Sequence, residues 1–149
     1  MYTFIKEAHS AWAYLVLLLL VVAVLNSLSG FSANRAFAAK DRKIALIALI
    51  ASHIQLLLAM FLYFLSPYFQ YFKTSGIGYI MKDENGEGLR LLLIEHPLMN
   101  IIAIILITVG WSKHKAATTD KAKFKSIWLM YLIALVLILS RIPWNAWFA

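Results

Sequence analysis

Four long apolar runs alternate with short polar segments along this chain. They extend from Ala11 to Leu28, from Ile44 to Leu65, from Leu91 to Trp111, and from Ile127 to the aromatic end at Trp147 and Phe148. Each run supplies the roughly 20 residues that a helix needs to cross a hydrocarbon core of about 30 Å. Backbone groups in lipid must pair within their own segment, and the period-two alternation of an outer-membrane strand is absent, so the runs predict helices.

We therefore expect an all-α integral membrane four-helix bundle that forms a single transmembrane domain over residues 1–149. The predicted spans cover about residues 5–28, 44–66, 91–112 and 127–147. We interpret the first run as a span because it is longer than the about 7–15 apolar residues of a cleaved signal peptide. One longer outer loop, Pro67 to Arg90, is predicted to form a short aromatic helix and then a turn from Asp83 to Gly88.

The composition supports a membrane protein and excludes several other classes. Of the 149 residues, 62% are apolar and 14% are charged, whereas soluble domains average about 45–50% and 25%. This apolar content also excludes a disordered chain. The chain has no cysteine, which excludes disulfides, thiolate metal sites and covalently attached haem.

The cations predict how the helices are oriented. The two short loops, between spans one and two and between spans three and four, hold nine of the 14 lysines and arginines. The positive-inside rule then places these loops in the cytoplasm and both termini on the extracytoplasmic side. The net charge of +7 is thereby explained by topology and by contact with the lipid bilayer, so no nucleic-acid partner is expected.

Ionisable side chains inside a span are costly, so they are candidates for function. They are Glu7, His9, His53, Glu95, His96 and Arg141, with Gln55 and Asn100 as neutral companions. At 1.5 Å per residue, His9 lies roughly 10–12 Å outward of the middle of its span, and His96 roughly 8 Å outward of its own. Two histidines from different helices thus share a depth. We expect His114, between two lysines of a basic loop, to be solvated.

Two imidazoles facing each other at one depth can ligate the iron of a non-covalent haem b. His9 and His96 are therefore the predicted cofactor-binding and metal-ligating residues. Arg141 is expected to pair with haem propionates, and Asn100 to bond to a ligand, a propionate or a neighbouring helix. Ala13 and Ala103 share the ligand faces and leave room for a flat ring.

Simpler interpretations of the same residues stay open. His9 is also typical of an interfacial helix start, and Glu95 can form a structural ion pair with Arg141. His53 and Gln55 are expected to make hydrogen bonds between helices. The alternative function is then a haem-free accessory subunit of a membrane complex. A proton relay or a small transporter is less favoured, because no inverted repeat is visible in the sequence.

The polar motifs resemble those of a known family. The order Glu7-x-His9, then Gln55-x-x-Leu58 leading to Leu65-Ser66-Pro67, then Glu95-His96-Pro97, resembles three consecutive helices of the haem A synthase family. The whole layout also resembles small four-span Bacteroidota membrane proteins catalogued as cytochrome b. The resemblance implies a bacterial inner membrane location and makes His9 and His96 the iron ligands. Only half of a synthase is present, so we do not expect an enzyme on its own.

The predicted function is that of a small b-type cytochrome that acts in electron transfer or haem handling near the outer leaflet. A single haem on one side of the membrane cannot carry electrons across it. A quinone or a partner protein is therefore expected, and the small extramembrane mass favours a subunit of a larger complex.

Overall fold

The computed structural model describes residues 1–84, 86 and 88–148 and is all-helical over these residues. The helices are α1 (Tyr2–Ser32), α2 (Ala39–Leu65), α3 (Tyr71–Thr74), α4 (Gly76–Lys82), α5 (His96–Ala116), α6 (Asp120–Ser140) and α7 (Trp144–Trp147). A 3₁₀ turn, Pro67–Gln70, precedes α3, and a π-helical turn, Leu91–Glu95, leads into α5.

Four of the helices are long and apolar enough to cross a membrane, as the sequence predicted. They are α1, α2, α6, and α5 together with its π-helical turn. Neighbouring contacts run from α1 to α2, α2 to α5, α5 to α6, and α6 back to α1. Consequently α1 lies diagonally across the bundle from α5. Since the chain passes along the bundle four times, once in each long helix, both termini lie at the same end. We call this the terminal end. We call the other the basic end.

The fourth span differs from its prediction of 127–147. Helix α6 already begins at Asp120, where the Thr119 hydroxyl accepts a hydrogen bond of 3.2 Å from the Ala122 amide. It ends at Ser140, three residues before Pro143. The apolar pattern indicates where a helix enters the lipid, whereas a capping residue decides where the helix begins. The lysines between Asp120 and Ile127 are good helix formers, so the helix extends over them.

The turn between α1 and α2 is held by a buried carboxylate. Asp41, 1% exposed, accepts hydrogen bonds from the Arg35 guanidinium, the Asn26 amide and the Ala38 backbone N–H, each at 2.9 Å. The Ala38 contact caps the start of α2. Because every contact to the carboxylate is charged or polar, the charge is compensated inside the basic end.

The start of α5 is shaped by Pro97. A proline has no N–H, so the carbonyl four residues earlier, that of Leu93, loses its usual helical partner. The hydroxyl of Tyr63 on α2 donates to this carbonyl at 3.0 Å. The Tyr63 hydroxyl thus takes the place of the missing amide donor, and its hydrogen bond connects the start of α5 to the end of α2.

The core is built from small residues that let the helices approach closely. Ala23, Ala45, Ala48, Ala51, Ala103 and Ala134 are all buried. Tyr131 of α6, fully buried, crosses the centre and donates its hydroxyl to the Ala45 carbonyl of α2 at 2.9 Å. In lipid, close packing and such hydrogen bonds drive helix association, because the hydrophobic effect does not.

The longer loop is helical where the sequence predicted it. The 3₁₀ turn, α3 and α4 occupy residues 67–82, and Ile80 packs with Leu89 and Leu93 near the start of α5. Asp83 takes a left-handed conformation with φ +47° and begins the turn. Asn85 and Glu87 of the predicted turn lie outside the described residues.

Candidate functional site

The imidazoles of His9 and His96 meet at the terminal end of the bundle. Their ring centroids are 6.3 Å apart and their planes are inclined by 80°. Both residues are partly buried. Because α1 and α5 are diagonal partners, this contact crosses the inside of the bundle, and its geometry is that of an edge-to-face pair of rings.

The separation of the rings has a direct chemical meaning. A coordinating imidazole nitrogen lies about 2.0–2.1 Å from a first-row metal ion, and the ring centre lies about 1.1 Å behind that nitrogen. Two imidazoles on opposite sides of one metal therefore have centroids about 6.2–6.4 Å apart. The observed 6.3 Å falls in this range.

A main-chain contact orients the ring of His96. Its Nδ1 lies 2.7 Å from the backbone carbonyl oxygen of Arg141 at the end of α6. A carbonyl can only accept, so Nδ1 carries the proton and Nε2 keeps its lone pair. Metal-ligating histidines usually donate their second nitrogen in this way. The sequence singled out Arg141 for its guanidinium, whereas its carbonyl is what contacts the histidine.

The surroundings of His9 hold two buried polar atoms without a partner. Gln55 of α2 donates from its amide to the backbone carbonyl of His9 at 3.0 Å, which confirms the predicted hydrogen bond between helices. The Oε1 of Gln55 and the Nδ1 of His9 are both buried, and neither has a hydrogen-bond partner. Such atoms are costly in an apolar interior, so both are available to a ligand or to water.

Asn100 lies one helical turn beyond His96. Its amide donates to the His96 carbonyl at 2.7 Å and lies 3.3 Å from the His96 Nδ1. The bonds that the structure shows for this side chain are thus within its own helix, and the predicted bond to a ligand, a propionate or a neighbouring helix stays a prediction. The two alanines of the ligand faces differ in burial, since Ala103 is fully buried and Ala13 is partly buried.

Glu95 joins two arginines beside the histidines. One carboxylate oxygen lies 3.0 Å from the Arg90 Nε and the other lies 3.3 Å from the Arg141 Nε. The predicted pair of Glu95 with Arg141 is thus present. The Arg141 side chain is 44% exposed, and its Nη1 donates to the Ser140 carbonyl at 2.9 Å. Its side chain thus contacts Glu95 and the Ser140 carbonyl, while its backbone carbonyl contacts His96.

His53 stands apart from this pair. Its Nδ1 contacts the Leu49 carbonyl of its own helix at 2.8 Å, and its Nε2 lies 3.4 Å from the Thr108 hydroxyl of α5. The Thr108 hydroxyl donates its one proton to the Ile104 carbonyl at 2.8 Å. The two side chains therefore lie in contact between α2 and α5, and the hydrogen bond between helices stays a prediction for His53. No described group of three or more His, Cys, Asp or Glu side chains could hold a metal ion.

The prediction for His114 was wrong. The residue is 2% exposed, and its ring packs against Trp111 and Phe37 at centroid distances of 4.4 and 5.4 Å. Its Nδ1 donates to the Trp111 carbonyl at 2.6 Å. The flanking lysines suggested solvent, but α5 continues to Ala116, so His114 faces inward from a helix rather than outward from a loop.

One side of the bundle is more open than the others. Helices α2 and α5 share much less contact than α5 with α6, α1 with α2, or α1 with α6.

Comparison with models of protein families, with curated protein sequences and with solved structures finds no significant match to this chain. The interpretation of the histidine pair therefore depends on its geometry.

Proposed function

We propose that this chain is a small membrane cytochrome of the b type that binds one haem through His9 and His96. The observation that carries the proposal is the separation of 6.3 Å between the ring centroids of two imidazoles in edge-to-face contact across the bundle. This is the spacing that one iron between two histidine nitrogens requires. A haem supplies four more nitrogen ligands from its own ring, so two protein ligands suffice.

The polar groups around the pair suit this ligand. Proton donation from His96 Nδ1 to the Arg141 carbonyl fixes the tautomer and leaves Nε2 available to a metal. The unpartnered atoms of His9 and Gln55 are those expected beside a bound group. Arg141 is held near His96 by Glu95, and its partly exposed guanidinium retains donors that could pair with a propionate.

The proposed activity is reversible one-electron transfer, the chemistry that a bound haem supplies. The protein's part is to hold both rings in place, to exclude water and to position a cation near the acidic edge of the group. By the positive-inside rule, this end of the bundle faces the extracytoplasmic side of a bacterial inner membrane. Electrons would then be exchanged with a quinone or with another membrane subunit at that leaflet.

Absorption spectroscopy tests this proposal. Protein purified in detergent, with and without added haemin, is scanned from about 350 to 600 nm in the oxidised and reduced states. We expect a Soret band and sharp α and β bands on reduction, lost in His9→Ala and in His96→Ala. His53→Ala is the matched control, because that histidine also lies in a span but outside the pair, and it should keep the bands.

A second candidate follows from a different contact. Glu95 links Arg90 at the entry of α5 to Arg141 at the end of α6, an arrangement that a purely structural role would also use. In that case the chain is a haem-free accessory subunit, and the histidines are packing contacts. A colourless protein that takes up no haemin, and that copurifies with partner subunits in a fixed ratio, would establish this role and exclude the cytochrome.

A further inference from the structure

The basic end of the bundle contains a hollow that the histidine pair does not use. Its volume is about 310 Å³, and it lies where the start of α2, the end of α5 and the beginning of α6 meet. It is lined by Phe37, Ala38, Ala39, Arg42, His114, Lys115 and Lys123. We call it the basic hollow.

Three cations line the basic hollow without a neutralising partner. Arg42, Lys115 and Lys123 belong to none of the ion pairs found among the described residues. The nearby carboxylate of Asp41 already accepts two hydrogen bonds from Arg35. A concave surface lined by charges of one sign concentrates the field and attracts a counter-ion.

Aromatic rings restrain two of these three cations. The guanidinium of Arg42 lies 5.4 Å from the centre of the Trp111 ring, and the ammonium of Lys123 lies 5.9 Å from that of Phe37. The buried ring of His114 packs between Trp111 and Phe37. Cation–π contacts of this kind reduce the freedom of long side chains, so less entropy is lost when they bind a ligand.

The first turn of α2 adds to the positive potential. Ala38 caps this helix and Ala39 begins it, and both line the basic hollow. The helix is 27 residues long, and its N-terminus carries the positive end of the macrodipole; the Asp41 carboxylate in its first turn is neutralised by Arg35. Anions are commonly bound where backbone N–H groups at such an end meet basic side chains.

We propose that the basic hollow binds a phosphate group, carried by the headgroup of an anionic phospholipid or present as free phosphate. Two features favour the headgroup. The hollow lies at the ends of three helices that are long enough to span a membrane, where headgroups are found, and it has aromatic walls. Basic pockets between helices at the cytoplasmic surface are typical sites of lipid headgroups. This inference is independent of the haem proposal.

Native mass spectrometry of the detergent-purified protein tests the site. The probes are phosphatidylglycerol, phosphatidylcholine and inorganic phosphate, each titrated separately. We expect one phosphatidylglycerol to be retained in preference to phosphatidylcholine. The triple variant Arg42→Ala, Lys115→Ala and Lys123→Ala should bind it at least about tenfold more weakly, since each cation contributes to holding the phosphate.

The control variant removes as much charge from the same end of the protein. Lys40→Ala, Lys43→Ala and Lys113→Ala lie outside the basic hollow and should leave the tight site unchanged. A Lys115→Arg and Lys123→Arg variant keeps the charge and should keep binding, which separates loss of charge from loss of fold. Inorganic phosphate that displaces the lipid would assign the site to free phosphate. Equal losses in both triple variants, or no preference for the anionic lipid, would overturn the proposal.

Discussion

The packing of α5 against α6 gives a quantitative prediction about stability. Gly110 of α5 lies against α6, and a Cβ atom built on it would be 2.7 Å from the Met130 Cβ and 2.9 Å from the Ser126 carbonyl oxygen. Real Cβ atoms do not approach other atoms so closely. Both neighbours are on or next to the backbone of α6, so a side-chain rotation cannot relieve the overlap.

The substitution Gly110→Ala should therefore separate the helices locally. Overpacking of this kind costs about 1–3 kcal/mol, while alanine regains about 0.5–1 kcal/mol of helix propensity over glycine. We expect a net loss of up to about 2.5 kcal/mol in the free energy of unfolding. Since α6 also carries the Arg141 carbonyl that orients His96, the variant should bind haemin more weakly as well.

Unfolding in mixed micelles, followed by circular dichroism as the denaturing detergent is increased, measures this effect. The control is Gly78→Ala on α4, where an added Cβ meets nothing within 4 Å. That variant should be as stable as the unsubstituted protein or slightly more stable. If Gly110→Ala unfolds at the same detergent fraction as Gly78→Ala, the close approach of α5 and α6 is incorrect.

Three further variants test individual contacts by the same unfolding measurement. Tyr131→Phe removes the hydroxyl that donates to Ala45 and should cost about 0.5–1.5 kcal/mol; no change would argue against this contact. Gln55→Leu removes the bond to the His9 carbonyl and should cost about 0.6–2 kcal/mol and weaken haemin binding, whereas unaltered haemin affinity would separate Gln55 from the site. Glu95→Gln should cost under about 1 kcal/mol per ion pair at low salt and less in about 1 M salt, so a loss that does not depend on salt would contradict the two ion pairs.

The sequence predicted the helices better than it predicted their ends. The apolar runs located all four long helices, because crossing a bilayer requires them. The start of α6 at Asp120 was missed, since a helix continues past the lipid boundary as far as its capping residue. The π-helical turn before α5 was also missed. A carbonyl of this turn, that of Leu93, accepts a hydrogen bond from Tyr63, which is distant in sequence.

For the candidate site, the sequence predicted the depth of the two histidines but not their contacts. Counting residues from the ends of the spans placed His9 and His96 at one depth, and the structure brings their rings together. Depth alone cannot reveal which way a side chain faces or what contacts it. The carbonyl of Arg141 on His96 therefore had no signal in the sequence, and His114 was misplaced because its charged neighbours concealed an inward-facing helix position.

Electron paramagnetic resonance of the oxidised, haemin-loaded protein tests the central claim most directly. The imidazole planes of His9 and His96 are inclined by 80°, and two nearly perpendicular imidazoles that held a ferric iron would leave its occupied orbitals close in energy. We therefore predict a strongly anisotropic low-spin ferric signal that disappears in either alanine variant. A high-spin signal, a low-spin signal that survives removal of either histidine, or no bound haem at all would contradict coordination by this pair.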